Sequence, residues 1–311
     1  MANGGIIGPV QEGAKCSTIS AKVTSFTSSG TFTAQATASA DYLVVAGGGG
    51  TFGASSHGSG GAGAGGYRAS GPTTPSPTRG SAVPVIGGTS YAITVGGGGT
   101  NGSCNAAGSN SVFNYAGCAT ITSAGGAKTD TDGSSDNGGS GGGGFGGGDG
   151  VPGGSGNTPP TTPPQGNNGG NGVDAGCFSG SGGGGGGGGA GGNGGPNVGG
   201  TPGSGVANTI TGSPVTYAAG GAGGSRKGNM GAGVTEGQNG SDNTGQGGAG
   251  TIAITGSGSS GGTGGSGIVV IKEPEATVKV APGMWTLNEH FESVKAGDWV
   301  CLLYTSPSPR D

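Results

Sequence analysis

The sequence predicts a mainly β and irregular fold, in which short β-strands frame a sandwich of packed polyglycine-II helices and a small α-helical segment lies towards the C-terminus. Three observations carry this. Glycine supplies 88 of the 311 residues, and all but seven of them lie between residues 44 and 271. The net charge is only −4, so the repulsion that keeps disordered chains expanded is weak. Runs of β type also feed straight into glycine tracts, as in DYLVVAGGGG (residues 41–50) and YAITVGGGG (residues 91–99).

Composition shifts divide the chain into an N-terminal β segment (1–43), a glycine-rich polyglycine-II/β domain (44–273), a linker with a short amphipathic helix (274–300), and a tail (301–311). In the first segment, KVTSFTSSGTFT places Phe26 and Phe32 on either side of an SSG turn signal between two β-prone runs. DYLVVA is a continuous apolar run, which suits a strand buried on both faces. In the middle region NSVFN, ATITSAGG, SPVTYAAGG and GTIAITGSG punctuate the glycine tracts as further β-like pieces, and SGIVVIKE closes it with a second strand of the buried type.

The tracts themselves, including eight consecutive glycines at 182–189, are penalised in helices and sheets. Polyproline-II geometry carries no such penalty. It has three residues per turn and no internal hydrogen bonds, so every N–H and C=O points outward. With glycine on every face, neighbouring helices of this kind approach closely and exchange backbone bonds, which satisfies buried polar backbone without a large side-chain core. There is no strict G-X-Y period, which rejects collagen. The competing expectation from composition alone, with Gly and Pro together about a third of the chain, is a flexible linker.

Residues 285–299, WTLNEHFESVKAGDW, start with a T-x-x-E capping box at Thr286 and Glu289. Leu287, Phe291 and Val294 share one helical face, and Gly297 suits the C-terminal cap. The last eleven residues, CLLYTSPSPRD, resemble translated read-through of a sequencing adapter and are set aside from fold reasoning.

Motifs for chemistry are present only in outline. Gly48-x-Gly50-x-x-Gly53 follows a strand like a dinucleotide fingerprint, but ASSHGSGGAGAGG after it cannot be a helix and no acidic residue stands about 20 positions on. GGAKT (residues 125–129) likewise lacks the helix of a phosphate loop. Asp130, Asp132 and Asp136 are close in sequence but lack the spacing of an EF-hand loop. GGNGVDAG (residues 169–176) nearly fits a calcium-binding β-helix repeat but occurs once. The five Cys follow no zinc spacing. His57 and His290 have no sequence partner for a triad. The expectation is a non-enzyme with no cofactor and no metal. Arg226-Lys227 is the only adjacent basic pair, which argues against nucleic acid as a partner. No segment has the apolar length for membrane insertion, and no secretory signal is visible at the N-terminus.

IIGP, FTSSGTFT, DYLVVAGGGG, AGAGGYRAS, YAITVGGGG, TPPTTPPQGNNGGNG, TITGSPVTYAAGGAGG and SGIVVIKE together resemble, in this order, the glycine-rich domain of bacteriophage tail fibres and tail-associated adhesins. The resemblance implies a polyglycine-II sandwich whose connecting loops touch a bacterial surface receptor, with other tail-fibre or virion proteins as further partners. It implies a virion location, after synthesis in the host cytoplasm and release by lysis. Fibres of this kind are often homo-oligomers, although no coiled-coil heptads impose that here. Binding energy concentrates in aromatic and Arg side chains. The receptor-contact candidates are therefore the large or charged residues amid glycine: Phe52, His57, Tyr67, Arg68, Phe145, Phe178, Arg226, Lys227 and Met230. For Tyr67 and Phe178 the alternative is packing at the lattice edge. The competing functions are a passive structural protein, either a virion spacer or an extracellular filament subunit, and an ice-binding protein. The irregular loops disfavour the latter.

Overall fold

The computed structural model describes residues 15–53, 57–116, 119–129, 135–147, 150–175, 178–226, 236–253, 260–280 and 295. The fold is mainly β and irregular, as the sequence predicts. Among the described residues the one helical element is a 3₁₀ turn, Gly102–Cys104. The predicted C-terminal amphipathic helix lies outside the described residues apart from Lys295.

The strands in chain order are β1 (Lys15–Ile19), β2 (Lys22–Phe26), β3 (Gly30–Thr33), β4 (Ala38–Val45), β5 (Tyr67–Ser70), β6 (Arg79–Gly80), β7 (Val83–Val85), β8 (Ser90–Thr94), β9 (Ser111–Ala116), β10 (Ala119–Ser123), β11 (Val206–Asn208), β12 (Val215–Tyr217), β13 (Ile268–Glu273) and β14 (Ala276–Val280). A six-stranded sheet runs β2-β13-β4-β5-β6, with β7 also paired to β4. A four-stranded sheet runs β10-β9-β8-β3, and β1-β14 and β11-β12 form two-stranded pairs. Both runs flanking the SSG signal are strands, but they do not pair with each other. β2 joins β13, and β3 joins β8. The composition boundary at 43/44 falls inside β4.

β4 and β13 are the apolar runs read as buried on both faces, and they pair antiparallel at the centre of the large sheet. Tyr42, Val44, Val269 and Ile271 face a core shared with Phe32, Tyr91, Ile93, Phe113 and Ile121. Leu43, Val45, Ile268 and Val270 face a second core with Tyr67, Ile210 and Tyr217. Burying such side chains contributes about 1.5–3 kcal/mol each, and these two clusters hold most of the large buried apolar residues among those described.

The glycine-rich runs form the lattice. Ala46, Gly47 and Gly48 donate their N–H groups to the carbonyls of Gly66, Ser109 and Gly265; Gly49, Gly50 and Thr51 then donate to Gly63, Ala106 and Gly262, at 2.9–3.1 Å. The partners recur every third residue, and each partner has stepped back by three. That is the three-residue turn of polyproline-II geometry, with antiparallel neighbours. The carbonyls of Gly47, Gly48, Gly49 and Gly50 in turn accept from Gly126, Gly99, Gly248 and Thr129. The run 46–51 therefore donates to three neighbouring runs and accepts from three others, which is hexagonal packing. Runs 58–66 and 179–188 repeat the pattern.

Adjacency through these bonds arranges the described runs in three rows. The middle row is 96–100, 46–51, 58–66, 179–188 and 189–195. One flanking row is 106–110, 124–129, 138–146 and 165–173; the other is 260–267, 245–253, 218–226 and 198–205. Runs 151–157 and 236–241 lie against the outer sides of these flanking rows. A Cβ at Gly47, Gly48, Gly49 or Gly50 would overlap the carbonyl of Gly97, Gln246, Ala127 or Thr100. Close approach, rather than any left-handed backbone, is what excludes side chains there. Residues 250–253 of GTIAITGSG depart from their β-like expectation, and the rest of that piece lies outside the described residues. Thr251 and Ala253 sit in the lattice, where Thr251 N–H donates to Ser59 Oγ at 2.9 Å and Ala253 N–H to Ser225 O at 3.0 Å.

Where a run has no neighbour on one side, an asparagine supplies the missing carbonyl. Gly125 N–H donates to Asn110 Oδ1, Gly156 N–H to Asn168 Oδ1, Gly153 N–H to Asn171 Oδ1, Asn171 N–H to Asn193 Oδ1 and Thr263 N–H to Asn239 Oδ1, all at 2.8–3.0 Å. Side-chain amides thus close the open flanks that would otherwise present unpaired backbone.

Candidate functional site

Among the described residues, the strands that run directly into the lattice do so at one end of it. β4, β8 and β10 run directly into 46–51, 96–100 and 124–129, while 58–66, 106–110, 198–205 and 260–267 run directly into β5, β9, β11 and β13. Among the described residues the opposite end carries 52–53, 57, 101–105, 146–147, 174–175, 178, 196–197, 226 and 253. Function-bearing side chains on this scaffold fall at one of these two ends.

Five of the nine contact candidates are described at the loop end. Phe52 is half-buried and its N–H donates to Thr129 Oγ1 at 3.2 Å. His57 and Phe145, from different connections, meet edge to face with ring centroids 5.8 Å apart. Phe178 is 52% exposed. Its carbonyl accepts from Asn197 N–H at 2.8 Å, and Arg226 N–H donates to Ser179 O at 3.0 Å. Backbone bridges Val173↔Gly180, Gly180↔Ser225 and Gly195↔Val198 tie these connections together. The loop bases are therefore held by backbone bonds, the arrangement in which a contact surface loses little entropy on binding. Lys227 and Met230 lie outside the described residues.

Tyr67 and Arg68 are at the strand end. Tyr67 is a core residue, 1% exposed, which removes it from the contact set. Its hydroxyl accepts from Asn208 Nδ2 at 2.7 Å, and burial raises its pKa above the ordinary value of 10.0. Packing wins here because residue 67 opens β5 and pairs with Val45. Arg68, the next residue, points to the other face and donates from Nη1 to Thr122 O at 3.4 Å.

Two loop-end residues escaped the sequence reading. Val198 is 46% exposed, and it stands beside Asn197, whose φ is +59°. Cys104 is an exposed free thiol in the 3₁₀ turn. The signal for Val198 is a lone apolar residue in GGPNVGG, a run with no β pattern to explain it.

The lattice also disposes of the nucleotide motifs. The N–H groups of Gly48 and Gly50 already point at Gly265 O and Ala106 O, so none is left for a phosphate. In GGAKT, Gly126 and Ala127 donate to Gly47 O and Ser140 O, and Lys128 Nζ lies 3.8 Å from Asp136 Oδ2. Among the described residues no group of three or more His, Cys, Asp or Glu is placed to hold a metal ion. Asp130 and Asp132 lie outside them.

The family model described as a glycine-rich domain matches residues 26–273. No curated protein matches the chain.

Proposed function

Because the chain belongs to the glycine-rich domain family, with that domain built as a rigid backbone lattice, we propose that it is a bacteriophage tail fibre or tail-associated adhesin that binds a bacterial surface receptor without catalysis. One observation carries the reading. Most of the large or charged side chains set amid glycine gather on the connections at one end of the lattice, opposite the strands. The strand end then faces the rest of the virion and the loop end faces the host. The lattice keeps the loops' bases in place, while the loops themselves are free to differ in sequence.

The test is binding of labelled protein to a panel of bacterial envelopes. Binding should be selective among hosts. Phe178→Ala and Arg226→Ala should each weaken it, with a hot-spot loss of about 2 kcal/mol, roughly thirtyfold in affinity, at an unchanged unfolding midpoint. Binding to no envelope, or binding indifferent to both substitutions, would leave the passive structural protein as the better reading.

A further inference from the structure

The flank asparagines share a second feature. Asn137, Asn168, Asn171, Asn193 and Asn239 each accept a backbone N–H of a neighbouring run through Oδ1, and each is followed directly by glycine. Asn-Gly is the dipeptide at which a chain most readily modifies itself, because glycine has no Cβ to shield its nitrogen. That nitrogen gives up its proton and attacks the Asn side-chain amide carbon. A nitrogen–carbon bond forms, the bond from that carbon to the side-chain nitrogen breaks, and ammonia leaves with the proton. Water then opens the cyclic imide at either carbonyl. One opening gives aspartate. The other gives isoaspartate, in which the main chain passes through the former side chain and is longer by one atom. In a lattice with a three-residue turn, that atom puts every following N–H out of phase with its acceptor.

At these pairs the structure holds both reacting groups to the neighbouring run. Asn239 Oδ1 accepts from Thr263 N–H at 2.9 Å, and Gly240 N–H donates back to Thr263 O at 2.8 Å. Asn193 Oδ1 and Gly194 N–H clasp the backbone of Asn171 in the same way, both at 2.8 Å. Asn137 Oδ1 and Gly138 N–H clasp Ser155, at 2.6 and 3.2 Å. For the other two pairs the partners stand two residues apart on run 151–157. Asn171 and Gly172 hold Gly153 N–H and Val151 O, while Asn168 and Gly169 hold Gly156 N–H and Gly154 O, all at 2.8–3.0 Å. Imide closure needs the peptide to rotate until the glycine nitrogen eclipses the Asn Cβ. The extended backbone of a polyproline-II run keeps it from that position, and the rotation breaks both bonds of the clasp.

We infer that this clasp guards the lattice against self-modification as well as capping its flanks. The folded protein suppresses imide formation at Asn137, Asn168, Asn171, Asn193 and Asn239, and opening of a flank releases it. The guard is local to each pair, because each has its own two bonds to its own partners. It also matters most here, since an isoaspartate formed in an open run would prevent that run from closing again in register. The inference is independent of the adhesin reading.

Incubating the full chain in mildly alkaline buffer, with and without denaturant, tests it, with peptide mass spectrometry reading aspartate and isoaspartate at each site. Both bonds must open together, so each pair should convert at least about tenfold more slowly in the folded chain than in the unfolded one. Ser155→Pro supplies the site-specific arm. Residue 155 is exposed, proline fits polyproline-II backbone, and the change removes the N–H that Asn137 Oδ1 accepts. Conversion at Asn137 should then rise about threefold or more and stay level at Asn193 and Asn239. A parent whose pairs are slowed by less than about tenfold on folding, or a Ser155→Pro variant with Asn137 unmoved, overturns the inference. A variant in which Asn193 and Asn239 rise as well has unfolded, and the parent's folded and unfolded rates then decide.

Discussion

Gly184→Ala is the substitution that bears most directly on the backbone lattice. Gly184 lies in the central run, and an added Cβ would overlap the carbonyl of Ala62. That carbonyl accepts from Gly221 N–H at 2.9 Å, and Gly184 N–H donates to Gly221 O at 2.9 Å. Runs 58–66 and 179–188 are further joined by Gly61 N–H to Gly182 O and Ala64 N–H to Gly185 O, each at 3.0 Å. Making room means separating the two runs by about an ångström, beyond hydrogen-bond range for those two links. Two bonds at about 0.5–1.5 kcal/mol each, plus about 1–3 kcal/mol for overpacking, give a loss of about 2–6 kcal/mol. Gly97→Ala is the matched control. Gly97 is exposed, has nothing within 4 Å of its would-be Cβ, and has no positive φ. Its substitution should be neutral or stabilise by about 0.4–1 kcal/mol, through the unfolded chain. Denaturant unfolding of the three proteins measures both values. If the two substitutions fall within about 1 kcal/mol of each other, beyond ordinary mutational scatter, the close-packed lattice is refuted.

Gln165, 1% exposed, accepts from Ala124 N–H and donates to Pro159 O, both at 2.8 Å. Gln165→Leu orphans that N–H and should cost about 1–3 kcal/mol, read as a lowered thermal midpoint. Burial raises the pKa of Tyr42, Tyr67 and Tyr217 above 10.0. The folded state holds these protons more tightly than the unfolded chain, so the stabilisation is complete below pH 10 and is lost as pH rises through the folded values. Urea midpoints should hold steady to about that pH and then fall, and Tyr67→Phe should soften the fall; a midpoint that declines equally in both proteins would contradict this. Asn168→Ala removes the carbonyl that caps Gly156 N–H at an exposed flank. It should cost about 1 kcal/mol or less and speed amide exchange at Gly156, while exchange in run 179–188 stays slow.

The strands that enter glycine tracts were legible in the sequence because apolar residues at 42–45 and 268–271 leave no alternative to burial. The lattice was legible from a chain with too many glycines for sheet or helix and too little charge for expansion. The adjacency of the runs was not. Eight identical residues at 182–189 carry no register, so their neighbours are set by contacts at the run ends. There Ser181 Oγ accepts from Gly146 N–H at 2.9 Å, and Asn167 Nδ2 donates to Gly186 O at 2.8 Å. The role of asparagine was hidden for a related reason. In a glycine tract it looks like a turn residue, and only the absence of a neighbouring run makes it a cap. For Tyr67 the sequence left contact and packing both open, because YRAS is too short for a period to show; burial at 1% exposure decides for packing. The loop-end position of Phe52, His57, Phe145 and Phe178 follows from size alone, since a large side chain amid glycine must sit where a run ends.

The three-residue turn sets how this molecule can change over generations. Losing one glycine inside 179–188 would rotate all that follows by a third of a turn and aim each N–H at the wrong run. Losing three would shorten the run and leave its directions unchanged. The connections at the loop end are under no such arithmetic, because nothing beyond them must be kept in phase. Length variation is therefore filtered out along the body and tolerated at one tip, so the geometry of the backbone itself concentrates novelty there.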